Sequence, residues 1–252
     1  YLKKYIEGRY TFSTDLKPSS KKLKRINTPT PDFEHNGLNE YHDKAYDYVQ
    51  NYWENLVRVT PLESKGSILP LPYEFVVANP TRFDEMYYWD TYFGMKGLLS
   101  SGHLDLSQKI VENFLYMIRE YGVIPNGNRD YYLSRSQPPF ISSMVKEVFQ
   151  ESLKAQPERA AHIRKWLKER AYPLLKKDLQ DFWMNGKTRY DEDTALHHHY
   201  DDINLARPER HSADKELADD WDDEHGLGIT YQDTRAVAES GLDFTDGLGK
   251  EA

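Results

Sequence analysis

The stretch Asp105–Gly122, DLSQKIVENFLYMIREYG, decides the fold class. Leu106, Ile110, Phe114, Met117, Ile118 and Tyr121 recur at three- and four-residue steps. A helix gathers such residues on one face, whereas a strand would scatter them over both. Asp105 is placed to cap the start, and Gly122 to stop the end.

The same pattern extends outward in both directions. After the Asn36-Gly37 break, Leu38, Tyr41, Ala45, Tyr48, Val49, Tyr52, Trp53 and Leu56 predict a helix over about 38–58. A helix over about 86–101 is ended by Gly102, and Pro138 and Pro139 suit the first turn of one over about 138–154. A long helix is expected from Pro157 to about Trp183, disturbed at Pro173, and a short one over 231–239. Residues 1–12 read as a short amphipathic helix and 13–37 as an extended surface segment. Residues 59–81, with four prolines, read as a non-helical strip, and 185–230 as irregular and acidic, anchored by Trp221. Alternating strand patterns are scarce. The expectation is one all-α domain over 1–252, built of helical hairpins in a toroid, with functional residues on the loops at one end.

Composition narrows the chemistry. The net charge of -8 disfavours a nucleic-acid partner, which needs a basic surface. The basic run KKLKR at 21–25 reads as a solvated loop. With no cysteine, disulfides, thiolate catalysis and Cys-bound metals are excluded. No apolar run approaches the ~20 residues needed to cross a membrane. The 19 tyrosines point to a polar, flat-faced ligand such as a sugar, because Tyr packs like a hydrophobe and still hydrogen bonds.

Four segments combine charge, amide and aromatic groups: RFDEMYYWD at 82–90, IPNGNRDYYLSRSQPP at 124–139, ARPER at 206–210, and AESGLDFT at 238–245. Turn formation and capping account for some of these residues. Asn126, Arg135 and Gln137 also offer directional donors suited to sugar hydroxyls. Asp243, between Leu242 and Phe244, is a candidate for a desolvated general acid. In HHHYDD at 197–202, three consecutive His cannot all face one point, so packing is favoured over a metal site.

Together the segments resemble the inverting α,α-trehalase family, whose catalytic domain is an (α/α)6 toroid. The first family signature, P-G-G-R-F-x-E-x-Y-x-W-D-x-Y, is matched from Arg82 to Tyr92, with Pro80 and Thr81 in place of its Gly pair. The 124–139 segment is similar to the equivalent family loop. Arg207-Pro208-Glu209 matches R-P-E-S with Arg210 at the Ser, and residues 238–245 resemble A-x-S-G-W-D-F-S with Leu242 at the Trp.

The resemblance implies trehalose hydrolysis with inversion and no cofactor. Asp243 falls on the general acid. Arg82, Phe83, Tyr87, Trp89, Asp90, Asn126, Arg135, Gln137, Arg207, Glu209 and Gly241 fall on the sugar pocket. The general base and the second signature, Q-W-D-x-P-x-G-W-x-P, belong to the second half of the toroid. The chain is therefore expected to be an N-terminal part, inactive alone, from a protein that is monomeric at full length. Its partners are then trehalose or glucose, with no nucleic acid or membrane. The alternatives are a related (α/α)6 glucosidase acting on another α-glucoside, and a non-catalytic carbohydrate-binding remnant.

Overall fold

The computed structural model describes residues 17–18, 39–60, 66–185, 188–225 and 231–243. The expected helix over 1–12, the break at Asn36-Gly37, most of the 13–37 segment and the side chain of Trp221 lie outside the described residues.

The first helix, α1 (Asn39–Leu56), runs directly into β2 (Val57–Val59). This strand is the centre of a small antiparallel sheet. β1 (Lys17–Pro18) pairs on one side and β3 (Phe75–Val76) on the other. Val57, Phe75 and Val76 are buried, as β-branched and aromatic residues on a covered pleat should be. Arg58 is buried among them and is neutralised by Asp84 at 2.7 Å. Burial pushes the Asp84 carboxyl up, against the pull of that guanidinium.

Three helices make the centre. α2 (Tyr88–Ser100) packs on α3 (Leu104–Tyr121), and α3 packs on α4 (Ile141–Ala155). α2 and α4 also touch each other, so α3 returns antiparallel between them. Ile110, Val111, Phe114, Leu115, Met117 and Ile118 of α3 are fully buried among Tyr88, Met95, Leu98, Met144, Val145 and Val148. The periodicity of Asp105–Gly122 is thus the periodicity of the core. Gly97 admits α1: a Cβ there would lie 2.8 Å from the Trp53 ring, whose Nε1 donates to Ser101 Oγ.

Turn chemistry follows the sequence with two corrections. Gly102 and Gly122 have φ of 79° and 78°, and each donates its N–H to a carbonyl of the helix it ends. Asp105, expected as a cap, lies in the first turn of α3 and pairs instead with Lys109 at 2.7 Å. Pro138 and Pro139 precede α4 rather than opening it. There Phe140 N–H closes a turn onto Pro138, and Ile141 N–H is given to the Tyr88 hydroxyl. That bond ties the start of α4 to the start of α2, so both helices begin at the same end.

From Pro157 to Trp183 the chain is helical throughout but changes winding. A short 3-10 turn leads to α5 (Ala160–Trp166), a π segment (Leu167–Ala171), α6 (Tyr172–Lys177) and a second π segment (Asp178–Trp183). Pro173 offers no N–H to the turn before it, and the wider winding accommodates that loss. Glu112 of α3 accepts from Trp166 Nε1 at 2.6 Å and from Arg170, which fixes this arm to the core. Beyond it, β4 (Tyr190–Asp191) and β5 (Leu196–His197) form a small hairpin. The acidic region, expected from sequence to be irregular, instead contains a helix, α7 (His211–His225). Its sequence lacks an apolar stripe because its buried anchor is polar, the carboxylate of Asp214. α8 (Tyr231–Ser240) matches the expected final helix.

Asp178, at the start of the second π segment, is 3% exposed, and its Oδ1 has no hydrogen-bond partner among the described residues. Burial pushes its carboxyl up to about 7. The folded state then holds a proton that the unfolded state has released above the ordinary value of 3.8. The stability tied to that proton is full below 3.8 and is lost as pH rises through about 7. Between pH 5 and 8 the loss is on the order of 2 kcal/mol. Asp178→Asn is expected to remove that loss, read as the difference between parent and variant in urea unfolding at the two pH values. Equal pH dependence in both proteins refutes it.

Candidate active site

The site is assembled from four segments far apart in sequence. The loop after α3 supplies the floor. Asn126 and Arg135 are bound to each other twice: Asn126 N–H donates to Arg135 O, and Arg135 Nε donates to Asn126 Oδ1, both at 3.1 Å. Asn126 O also accepts from Tyr88 N–H. Arg135 is 1% exposed, lies over the Tyr132 ring at 5.0 Å and donates through Nη2 to Glu209. Its Nη1 is buried with no hydrogen-bond partner among the described residues.

The first aromatic stretch makes one wall. Tyr87 Oη and Tyr132 Oη are 3.3 Å apart, and the Tyr87 ring meets Phe83 edge-on at 5.9 Å. Arg82 is exposed and covers the Phe83 ring at 5.1 Å. Burial pushes the phenols of Tyr87, Tyr131 and Tyr132 well above the ordinary range, so all three keep their protons as hydrogen-bond donors. Glu85 accepts from Arg129 Nε at 2.7 Å, which fastens the stretch below the wall. Asn128 Oδ1 accepts from Met86 N–H at 2.8 Å and turns the chain into α2.

Trp89 joins the wall to the acidic end. Its backbone N–H donates to Gln137 Oε1 at 3.2 Å, and its ring lies against Gly241. A Cβ on Gly241 would stand 2.8 Å from that ring, and φ there is +78°. Only glycine fits both the conformation and the approach. Asp90, in the first turn of α2, reaches the surface. The surrounding protein mass desolvates its carboxyl and raises it above the ordinary range.

Asp243 lies two residues beyond Gly241. Sequence placed it between apolar neighbours. In the fold its recorded contact is Arg207, whose Nη1 donates to Asp243 Oδ2 at 3.1 Å, while Leu242 is 48% exposed. Phe244 and Thr245 lie outside the described residues. Arg207 is itself gripped by Asp214, through Nε at 2.9 Å and Nη2 at 2.7 Å. Two residues on, Glu209 meets Arg135. Arg207 and Glu209 therefore bridge Asp243 to the floor. Contacts gather eleven of the twelve sequence-predicted residues into three groups that the backbone joins: Arg82, Phe83, Tyr87, Asn126, Arg135 and Glu209; Trp89, Gln137 and Gly241; and Arg207 with Asp243; Asp90 adjoins them through its neighbour Trp89.

Sequence reasoning passed over Glu239, which holds the arrangement together. It is fully buried, four residues before Asp243. Its Oε2 accepts from Ser136 N–H at 2.8 Å and Arg189 Nη2 at 2.7 Å. Its Oε1 accepts from Tyr200 N–H and meets His199 Nδ1, both at 3.2 Å. Burial opposes its charge, but His199 and Arg189 hold the carboxyl below the ordinary glutamate range. The HHHYDD run is absorbed in the same way. His197 Nδ1 lies 3.1 Å from Arg189 O, and the fully buried Asp201 pairs with Arg235 at 3.2 Å. No group of His, Asp and Glu among the described residues could hold a metal ion. Glu239 stands inside the recognised segment 238–245, but nothing in that segment marks it as the buried ligand of Arg189.

Two hollows lie elsewhere. One of about 190 Å³ is lined by Glu112, Ser152 and Trp166. The other, about 590 Å³, lies along Tyr92, Lys96 and Glu147. Neither is lined by the residues above.

Comparison with known proteins identifies the family. A family model described as Trehalase matches residues 2–251. The chain is 39% identical over 212 residues to a periplasmic trehalase of Xanthomonas campestris pv. campestris (strain B100), covering 79% of the chain and 35% of that protein. It is 38% identical over 212 residues to a periplasmic trehalase of Escherichia coli (strain SMS-3-5 / SECEC), with the same shares. Among solved structures, the neutral trehalase Nth1 from Saccharomyces cerevisiae superposes with a TM-score of 0.60 at 27% identity. That match covers 81% of this chain and 40% of the yeast chain. The all-α toroid class expected from sequence holds. The chain spans about a third of the length of the curated relatives it matches.

Proposed function

The chain belongs to the trehalase family, and we propose on that premise that the protein hydrolyses α,α-trehalose to two glucose molecules with inversion. The observation that carries the reading is the convergence of all four motif segments, through the contacts Trp89–Gln137, Trp89–Gly241, Arg135–Glu209 and Arg207–Asp243.

The chemistry follows from the residue types. A sugar alkoxide leaves poorly, so the glycosidic oxygen must receive a proton as its bond to C1 breaks; Asp243 is assigned as that acid. Water attacks C1 from the opposite face and gives its proton to a carboxylate base. In inverting enzymes the two carboxyls stand ~6.5–9.5 Å apart, leaving room for the water. Glu85 and Glu209 are engaged by Arg129 and Arg135, and the base is assigned to a carboxylate outside this chain, as the family resemblance implies. The unpartnered Arg135 Nη1 is a donor that a sugar hydroxyl would satisfy, and a buried donor left unpaired costs about 1–3 kcal/mol. Phe83, Tyr87 and Trp89 offer faces and edges to the apolar C–H surface of glucose.

Proton NMR of the first-formed glucose from full-length protein tests the reading. Inversion at one sugar gives β-glucose there, and the leaving sugar stays α. Equal amounts of the two anomers are therefore expected at early time. Only α-glucose would mean retention, and no glucose at all would sink the substrate assignment.

A further inference from the structure

Asp243 and Arg207 pose a conflict. A general acid must carry a proton, and a neighbouring guanidinium favours its loss. Arg207 is 4% exposed and cannot turn to water for relief. The structure holds a third member. Asp214, 1% exposed at the first turn of α7, binds Arg207 along its fork. Its two oxygens take Nε at 3.2 and 2.9 Å, Nη2 at 2.7 Å and the Arg207 backbone N–H at 2.8 Å. One guanidinium nitrogen, Nη1, is left to point at Asp243.

We propose that Asp214 is a positioning residue, which neutralises Arg207 and fixes its single remaining donor so that Asp243 can keep the proton it transfers. The proposal rests on the reading of Asp243 as the acid. Its charge count is simple. The Arg207–Asp214 pair is neutral, so Asp243 is not required as a counter-ion. Burial opposes the charge on Asp214, yet the hydrogen bonds from Arg207 hold its carboxyl below the ordinary range. Burial likewise opposes the charge on Arg207, and the bonds to Asp214 override it. The pair therefore stays ionised together. The other charged groups acting on it are Glu209 and Arg210, both of the short turn Pro208–Arg210. Glu209 is directed to Arg135. Asp214 is thus the carboxylate that faces the fork of Arg207, and a fork–fork pair is the geometry that best fixes a guanidinium.

The experiment compares two substrates on full-length protein. Trehalose needs a proton on its leaving oxygen. In α-glucosyl fluoride the C1–F bond breaks to release fluoride, which needs none. Asp243→Asn first tests the acid: selective loss on trehalose is expected, and equal loss on both substrates overturns the acid reading itself. Asp214→Asn is then expected to lower kcat on trehalose at least about tenfold while fluoride turnover falls less than about threefold. The alkaline limb of the trehalose pH profile should also move to lower pH, because the Arg207 charge is no longer balanced. Equal loss on both substrates would make Asp214 merely structural and overturn this proposal alone, as would no loss on either. Asp214→Glu keeps the charge and is expected to keep the parental ratio between substrates. It decides the matter if the Asn variant does not fold: a folded Asp214→Glu protein with the selective loss of Asp243→Asn overturns neutralisation.

Discussion

Asp243→Asn in the full-length protein is expected to lower trehalose turnover by roughly 10²–10⁴, with little change in trehalose binding. That range is what a positioned acid ordinarily contributes. Asn keeps the size of the side chain and an oxygen for the 3.1 Å bond from Arg207 Nη1. What it removes is the transferable proton. On the proposed function, binding falls to other groups, the Arg135–Glu209 pair and the aromatic wall, so calorimetric affinity is expected to stay within about threefold of the parent. Turnover within tenfold of the parent removes Asp243 from the acid's role. Loss of binding together with turnover would instead make it a substrate holder.

The second large effect is on stability. Glu239→Ala is expected to cost about 3–5 kcal/mol, because it leaves a partner charge buried and unmatched. Arg189 is 4% exposed and stacks over the Phe182 ring at 3.8 Å, so it cannot turn outward when its carboxylate is removed. Ser136 N–H loses its acceptor at the same time, between the site residues Arg135 and Gln137. A displaced denaturant midpoint measures the loss, and a change under 1 kcal/mol would show that the loop is held by other contacts. The acid response separates this carboxylate from Asp178. The Glu239 carboxyl is held below its ordinary value of 4.5 in the fold. Its contribution is present above that value and lost as pH falls below it, opposite in sign to that of Asp178.

Helices with a single apolar face were legible almost to the residue. The α3 pattern is a direct image of its burial, because every third or fourth side chain meets the core. The acidic helix α7 was not legible. Among its described side chains the buried one is Asp214, paired with Arg207, and an ion pair leaves no periodic trace in sequence. The residues proposed for the pocket come from motif resemblance, which reports residue type and order. The partners that hold them were less visible. Asp214 follows Arg207 by seven residues, yet nothing in ARPERHSAD marks one of its acids as the ligand of that arginine. Glu239 stood inside a recognised segment, but its partners at 136, 189, 199 and 200 are scattered along the chain. Charge pairing of that kind is a property of the folded topology. Of the two apolar residues that flank Asp243 in sequence, Leu242 is 48% exposed and Phe244 lies outside the described residues, while the Arg207 contact comes from 36 positions away.

The bond between Ser136 N–H and Glu239 spans 103 positions, and that separation has a consequence for biosynthesis. A chain emerging from the ribosome at 5–20 residues per second exposes the Arg135 loop for roughly 5–20 s before Glu239 appears, and the aromatic wall for longer. The loop around Ser136 has no clasp during that interval, and Arg189, 50 positions before Glu239, lacks this carboxylate for the later half of it. The surface proposed to bind sugar therefore exists for a time without the proposed acid. The clasp on the Ser136 loop can close only once α8 has been made and seats Glu239 against it.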